Sequence, residues 1–401
     1  MSDQNSTIPN GWKETTLEKV LINRNQGVNT TTEKVEYSRS GIPVIRAQNI
    51  SVGNIDFSDI VFIDEKTFLR LSDNVKPEFG DILYTNIGSQ MGLAAKVEKR
   101  LDFIIAWNVL RMVTNEDLID SDFLTYFLNN PVTKKLIVNR NSSSTIPFVS
   151  GGAMDNIDLL LPLISEQRAI ASVLSSLDDK IELLREQNKT LEATAQAIFK
   201  EWFVNFNFPG ATGKMIDSEL GEIPEGWRAG TVNDVIERFS ITYRCDQDDL
   251  SPKGKTPIFD QGVNGFYGYT EKDADFQAST ENPVILFTNH TCNMWFANYP
   301  FCAIQNVIPF RGNAEYSTFF VFYMTLGKVK FIEYKGHWPD FEQKKHIIPK
   351  PEIANQFAEF VKPLQYKIWN NNSQVETLSK LRDTLLPKLM KGEVRVKGFE
   401  N

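Results

Sequence analysis

The sequence predicts an α+β protein with an internal pseudo-two-fold repeat: two heads, each followed by one long helix that enters a coiled coil. Three observations predict it. Ile8-Pro9-Asn10-Gly11-Trp12-Lys13 recurs as Ile223-Pro224-Glu225-Gly226-Trp227-Arg228, 215 positions on, with Leu17 and Val20-Leu21 answered by Val232 and Val235-Ile236. Each copy then mixes short β-branched and aromatic runs, broken by Gly, Pro and Asn, with a few helical stretches. Each copy closes on hydrophobics spaced four, three, four, three, the period of a coiled-coil seam.

The first head is expected over residues 1–162. Ile42-Pro43-Val44-Ile45 and Asp81-Ile82-Leu83-Tyr84-Thr85 read as strands, and Asp117 to Leu128 as a helix. A helix over 163–207 follows, with its seam at Ile170, Leu174, Leu177, Ile181, Leu184, Asn188, Leu191, Ala195, Ile198 and Trp202. Pro209 and Gly210 end it, and 208–222 is expected to be a linker. The second head, 223–350, repeats the first with shorter loops. Leu83-Tyr84-Thr85-Asn86 is answered by Leu286-Phe287-Thr288-Asn289, Asn108-Val109-Leu110 by Asn306-Val307-Ile308, and Phe123 to Leu128 by Phe319 to Met324. The last segment, 351–401, carries the second seam: Phe357, Val361, Leu364, Ile368, Asn371, Val375, Leu378, Arg382, Leu385 and Leu389. Each helix is about 38 residues, or ~57 Å.

One amphipathic helix cannot bury its stripe alone, so the two are expected to pack together. A whole head lies between them, so parallel and antiparallel pairing are both open. Asn188 and Asn371 fall at core positions, where a polar residue sets register at some cost in stability; the two would meet in an antiparallel pair. A partly wet seam is the plainer explanation.

The bulk composition narrows the function. The chain has 401 residues and a net charge of -8, which argues against indiscriminate nucleic-acid binding and leaves room for local basic patches. No apolar run reaches the ~20 residues that span a bilayer. Residues 1–7 are polar and show no signal-peptide pattern, so none is expected. Cys245, Cys292 and Cys302 form no spaced framework, which fits a reducing cytoplasm.

Catalytic motifs are missing. Gly210 to Met215 lacks the spacing and hydroxyl of a phosphate loop. Asn298-Tyr299-Pro300-Phe301 lacks the first proline of an amino-methyltransferase motif, and no glycine-rich cofactor loop precedes it. Asp340 and Glu342 are too close in sequence to share a nuclease metal. His290, Cys292 and Cys302 are read as a strand-buried cysteine pair and a solvent-facing histidine, not a metal site. No catalytic residue and no metal ligand is therefore expected.

The remaining signals suit reading nucleic acid rather than reacting with it. Phe123 to Met154 holds no acidic residue but carries Lys134, Lys135, Arg140, Asn141, Ser143 and Thr145. Its counterpart before the second helix carries Lys330, Lys335, His337, Trp338, Lys344 and Lys345. Arg46, Gln48 and Asn49 follow one strand, and Asn289 and His290 another. Such side chains contact phosphates and base edges, although solvated loops have the same composition.

The order head, long helix, head, long helix resembles the specificity subunit of type I restriction-modification systems. Gly41 to Ile50 and Phe79 to Leu83 resemble the start of a target recognition domain. Leu159 to Ile170 resembles the junction with the central helix, Gln196 to Phe203 its end, and Leu385 to Val394 the C-terminal conserved region. The second copy departs at Glu352 to Gln356, where the Glu166-Gln167 pair is degraded. The resemblance implies two target recognition domains joined by an antiparallel coiled coil, each reading half of a bipartite double-stranded DNA target, with the helices setting the spacer. It implies a non-catalytic bacterial or archaeal cytoplasmic chain that binds no cofactor itself. Two modification subunits would bring S-adenosylmethionine, and restriction subunits ATP and Mg2+. A stand-alone bipartite DNA-binding regulator and a coiled-coil scaffold that binds no DNA are the alternatives.

Overall fold

The fold follows from a strand pattern that buries both faces of one sheet. In the computed structural model, which describes residues 8–140, 147–240, 245–262, 265–331 and 335–399, the chain divides into two units. One is Met1–Glu182 with Val375–Asn401; the other is Leu183–Gln374. The division cuts through both long helices, so each unit holds one head and half of each helix.

In the first unit a four-stranded antiparallel sheet has the order Leu21–Gln26, Val109–Thr114, Ile82–Thr85, Ala94–Lys96. Successive side chains alternate between its faces. Ile82, Tyr84, Leu110 and Met112 pack under the helix Ser121–Asn129, against Phe123, Leu124, Phe127 and Leu128. Leu83, Ala95 and Val109 face the other way, against Ile45 and Ile105. Those two residues belong to a second sheet, Val61–Ile63, Ile42–Ile45 and Ile104–Ile105, whose last pair runs parallel. Burial on both faces explains why Ile82–Thr85 is a continuous run rather than an alternating one.

The second unit repeats this plan. Its four-stranded sheet runs Ile236–Arg238, Val307–Gly312, Val284–Thr288, Met294–Ala297. Its three-stranded sheet runs Phe266–Thr270, Thr256–Phe259, Cys302–Ala303, with the last pair again parallel. Helix Thr318–Thr325 stands where Ser121–Asn129 does. The first unit also carries the hairpin Ile50–Ser51 with Asn54–Ile55 and the helices Glu65–Arg70 and Pro131–Val138. These have no counterpart among the described residues of the second, which accounts for its shorter loops. The expected linker is not plain coil: Met215–Ser218 pairs with Gly221–Pro224 in a hairpin.

The recurring opening is a turn. Trp12 N–H donates to the Pro9 carbonyl and Trp227 N–H to the Pro224 carbonyl, both at 3.0 Å. Gly11 and Gly226 hold φ of 82° and 83°, the left-handed value a type II turn needs at its third position. The following strands, Lys13–Thr16 and Arg228–Thr231, pair with Asp158–Leu161 and Lys345–Ile348 just before each long helix.

The long helices are Ile164–Phe203 and Pro351–Met390, 40 residues each. They run antiparallel within each unit. In the first, Asp178 meets Arg382 at 2.7 Å, and Ile170 and Leu174 share a core with Leu386 and Leu389. In the second, Asn188 meets Asn371 and Trp202 packs on Phe357. Among the predicted seam positions, Ile170, Leu174, Ile181, Leu184, Asn188, Phe357, Val361, Ile368, Asn371 and Leu389 are buried. Leu177, Leu191, Ile198, Leu364, Val375, Leu378 and Leu385 are partly buried. Among the described residues no helix is long and apolar enough to cross a membrane.

Candidate nucleic-acid interface

The match of Leu-Tyr-Thr-Asn to Leu-Phe-Thr-Asn has a packing cause. Thr85 Oγ1 accepts the Leu93 N–H at 2.9 Å, and Thr288 Oγ1 accepts the Asn293 N–H at 2.8 Å. Each threonine thus closes the turn after its strand. The asparagine beyond it ties down the next stretch of chain. Asn86 donates to the Val149 carbonyl at 3.2 Å and exchanges two 3.1 Å hydrogen bonds with Gln26. Asn289 Oδ1 accepts the Trp338 N–H at 2.8 Å, while its backbone carbonyl accepts the His337 N–H.

In the second head Asn289, His290, Lys335, His337 and Trp338 do come together. His290 Nδ1 lies 2.8 Å from the Lys335 carbonyl. Several of these candidates are nevertheless consumed by the fold. Trp338 is buried: its ring packs on Phe287, Phe310 and Phe341, and its Nε1–H donates to Glu342 at 2.7 Å. His337 is buried, with Nδ1 3.7 Å from Asp340, and the Asn289 amide is engaged as above. In this structure His337 and Trp338 are thus buried in the fold, and the Asn289 Oδ1 is taken by a backbone N–H. Lys330 and Lys344 are exposed. Lys335 pairs with Asp340 at 3.1 Å and Lys345 pairs with Glu219, all at exposed positions where ion pairs are weak and a phosphate can compete.

The first head divides in the same way. Asn49 is buried; its Oδ1 accepts the Arg46 N–H at 3.1 Å and its Nδ2 donates to the Asp59 carbonyl at 2.8 Å. It shapes a turn. Gln48 is exposed. Arg46 is half-buried, and its Nε has no hydrogen-bond partner among the described residues. Burial pushes the Tyr37 phenol up while the Arg46 charge pulls it down, so the guanidinium acts next to Tyr37. Lys135 and Arg140 are exposed, with Arg140 Nη1 donating to the Ala153 carbonyl at 3.1 Å. Lys134 lays its methylenes over Gly92, where an added Cβ would sit 2.9 Å from Lys134 Cε. Asn141, Ser143 and Thr145 lie outside the described residues.

Strand register exposes a residue that motif reading missed. Ile45 pairs with Ile105 and Phe259 with Ala303 in the equivalent parallel bridges. The next residue is Arg46 in one head and Asp260 in the other, both half-buried. Asp260 Oδ1 accepts the Gly262 N–H at 2.8 Å. The two heads therefore present opposite charges at one structural position. No local motif marks Asp260; only the paired strands align it with Arg46.

Known proteins share this plan. A family model described as the type I restriction modification DNA specificity domain matches residues 9–193. The type I restriction enzyme MjaIX specificity subunit of Methanocaldococcus jannaschii is 27% identical over 97% of this chain and 95% of its own length. The HindI specificity subunit of Haemophilus influenzae is 33% identical over 32% of this chain and 28% of its own. The crystal structure of a type I restriction-modification S subunit from M. genitalium superposes with a TM-score of 0.60 at 15% identity, covering 97% of this chain and 98% of that one, which shows a shared fold.

Proposed function

Because this chain belongs to the family of type I restriction-modification DNA specificity subunits, we propose that it reads a bipartite, asymmetric DNA target, one half-site per head. It is the non-catalytic member of its assembly. The observation that carries the reading is the duplicated head: one topology in two copies, with opposite charges at Arg46 and Asp260. Equivalent sheets with different contact residues suit two different half-sites. A guanidinium matches the guanine O6 and N7 acceptors, and a carboxylate accepts from the cytosine amine. Lys135, Arg140, Lys330 and Lys344 supply phosphate contacts, which position the duplex without reading it.

Modification subunits carry S-adenosylmethionine and the methyl transfer to adenine; restriction subunits, where present, carry ATP and Mg2+. The antiparallel helices set the spacer between half-sites. One heptad is ~10.5 Å of helix, or ~3 base pairs at ~3.4 Å each. Sequencing of methylated DNA from cells that carry this chain with a modification partner should return one split motif. Removing one matched heptad from both helices should shorten its spacer. A continuous motif, or none, would sink the reading; an unchanged spacer would sink the ruler.

A further inference from the structure

Cys245, Asp275 and Cys302 converge in the second unit from three separate stretches of chain. One ligand atom from each lies within 4.8 Å of the others. Cys302 opens the strand Cys302–Ala303 and is wholly buried; Cys245 is 4% exposed. The pairing expected from sequence, Cys292 with Cys302, is not the one that forms. Cys292 sits in the turn after Thr288 with φ 57°, its thiol only partly covered.

The equivalent place in the first unit shows what this cluster replaces. Val44 faces Ile104 across one parallel bridge, and Ile258 faces Cys302 across the other. Around the first, Val28, Val35, Val44, Ile63, Leu71, Ile104 and Ala106 form a buried aliphatic cluster. Around the second, the buried members are Cys245, Ile258 and Cys302. Among the described residues, the second head covers the same strand pair with fewer buried aliphatic side chains, Leu250, Tyr267 and Ile304 being only partly buried there. A thin core is where folds rely on a metal or another cross-link.

We propose that Cys245, Cys302 and Asp275 form a structural site for a thiophilic divalent cation, zinc foremost, that fastens this side of the second head. Two sulfurs and one carboxylate oxygen are donors that zinc takes, and they supply three of the four positions of its tetrahedron. Each thiol releases its proton to solvent as its sulfur–metal bond forms, a carboxylate oxygen gives the metal a lone pair, and no electron is transferred. The proposal is independent of what the heads read.

The test is elemental analysis of the full-length chain purified without chelator, with cobalt(II) exchange as a second readout. The expected result is about one zinc per chain and, after exchange, thiolate-to-cobalt charge-transfer absorption with tetrahedral bands. Cys245→Ser and Cys302→Ser should each abolish both signals, Asp275→Asn should speed zinc loss to a chelator, and Cys292→Ser should change neither. Wild-type chain that holds no zinc and gives no cobalt spectrum overturns the proposal, as does a Cys245–Cys302 disulfide found by mass spectrometry. Wild-type content decides the matter even where a serine variant fails to fold.

Discussion

Trp12 and Trp227 sit on the same turn in the two heads, but one is held by charge and the other by rings. Trp12 Nε1–H donates to Glu166 at 3.1 Å, and Glu166 forks with Arg395 at 2.6 and 2.8 Å. The Arg395 guanidinium also lies 5.8 Å from the Trp12 ring. In the second head Phe208 stacks on Trp227 at 5.0 Å, with Phe206 and Phe203 at 5.6 and 5.8 Å. Phe208 follows the first long helix as Arg395 follows the second, and Ile353 stands in the place of Glu166. The geometry persisted while the chemistry was exchanged. The neighbouring amide was only shifted. Gln167 accepts from Asp120 N–H and donates to the Leu118 carbonyl; Asn355, one helical residue out of step, accepts from Ser317 N–H and donates to the Glu315 carbonyl. What a repeat preserves is therefore the position of a contact, not the residue that makes it.

The comparison can be broken most sharply at Glu166. Its side chain is 2% exposed and that of Arg395 is 14% exposed. Glu166→Ala strands a buried guanidinium and the Trp12 N–H, and should cost about 3–5 kcal/mol. Glu166→Gln keeps an acceptor for Trp12 and should cost about half as much. Urea unfolding of the full chain measures both; equal midpoints for wild type and the alanine variant would mean the clamp is decorative.

A smaller effect separates the heads by acid. His346 occupies the strand position that Leu159 occupies in the first head. Its Nε2 is buried with no hydrogen-bond partner among the described residues. Burial, with Lys328 and Lys344 adding to it, lowers its pKa from 6.5 to about 4. The unfolded chain takes up the proton as pH falls below 6.5, the folded chain only near 4. Stability is therefore full above 6.5 and falls between those values, by about 1–3 kcal/mol in total. His346→Leu should flatten that loss in urea titrations at pH 7 and pH 5, and a profile as steep as wild type would contradict it.

The smallest expected change in stability is at Arg46 and Asp260, where the readout is specificity. Arg46→Ala should relax one position of one half-site by about 1–3 kcal/mol of discrimination, and Asp260→Ala one position of the other. Folding midpoints should stay within about 0.5 kcal/mol. Methylated-DNA sequencing would refute the assignment if both variants returned the wild-type motif.

Much of the frame was legible from local pattern. The recurring Ile-Pro-x-Gly-Trp-basic run marked the start of each head, though not that it forms a turn, and heptad spacing predicted the seam down to Asn188 and Asn371. The Asn371 amide donates to Asn188 at 2.9 Å, and Asn188 to Asn372 at 2.7 Å. Availability of polar groups was not legible. Asn49, His337 and Trp338 have the composition of readers, yet they are buried, in a turn or in core packing. The Glu166 clamp joins residues 154 and 229 positions apart, beyond any local signal.

By itself, then, the sequence determined what depends on short-range periodicity: the repeat, the turns, the strand faces and the helical stripe, because backbone geometry imposes those spacings within a few residues. Tertiary structure alone decided which side chains were left facing solvent, which charge stands opposite Arg46 in the other head, and that Cys245 rather than Cys292 meets Cys302. Those outcomes follow from how distant strands align, and burial then sets whether a polar atom bonds within the fold or stays open to a ligand.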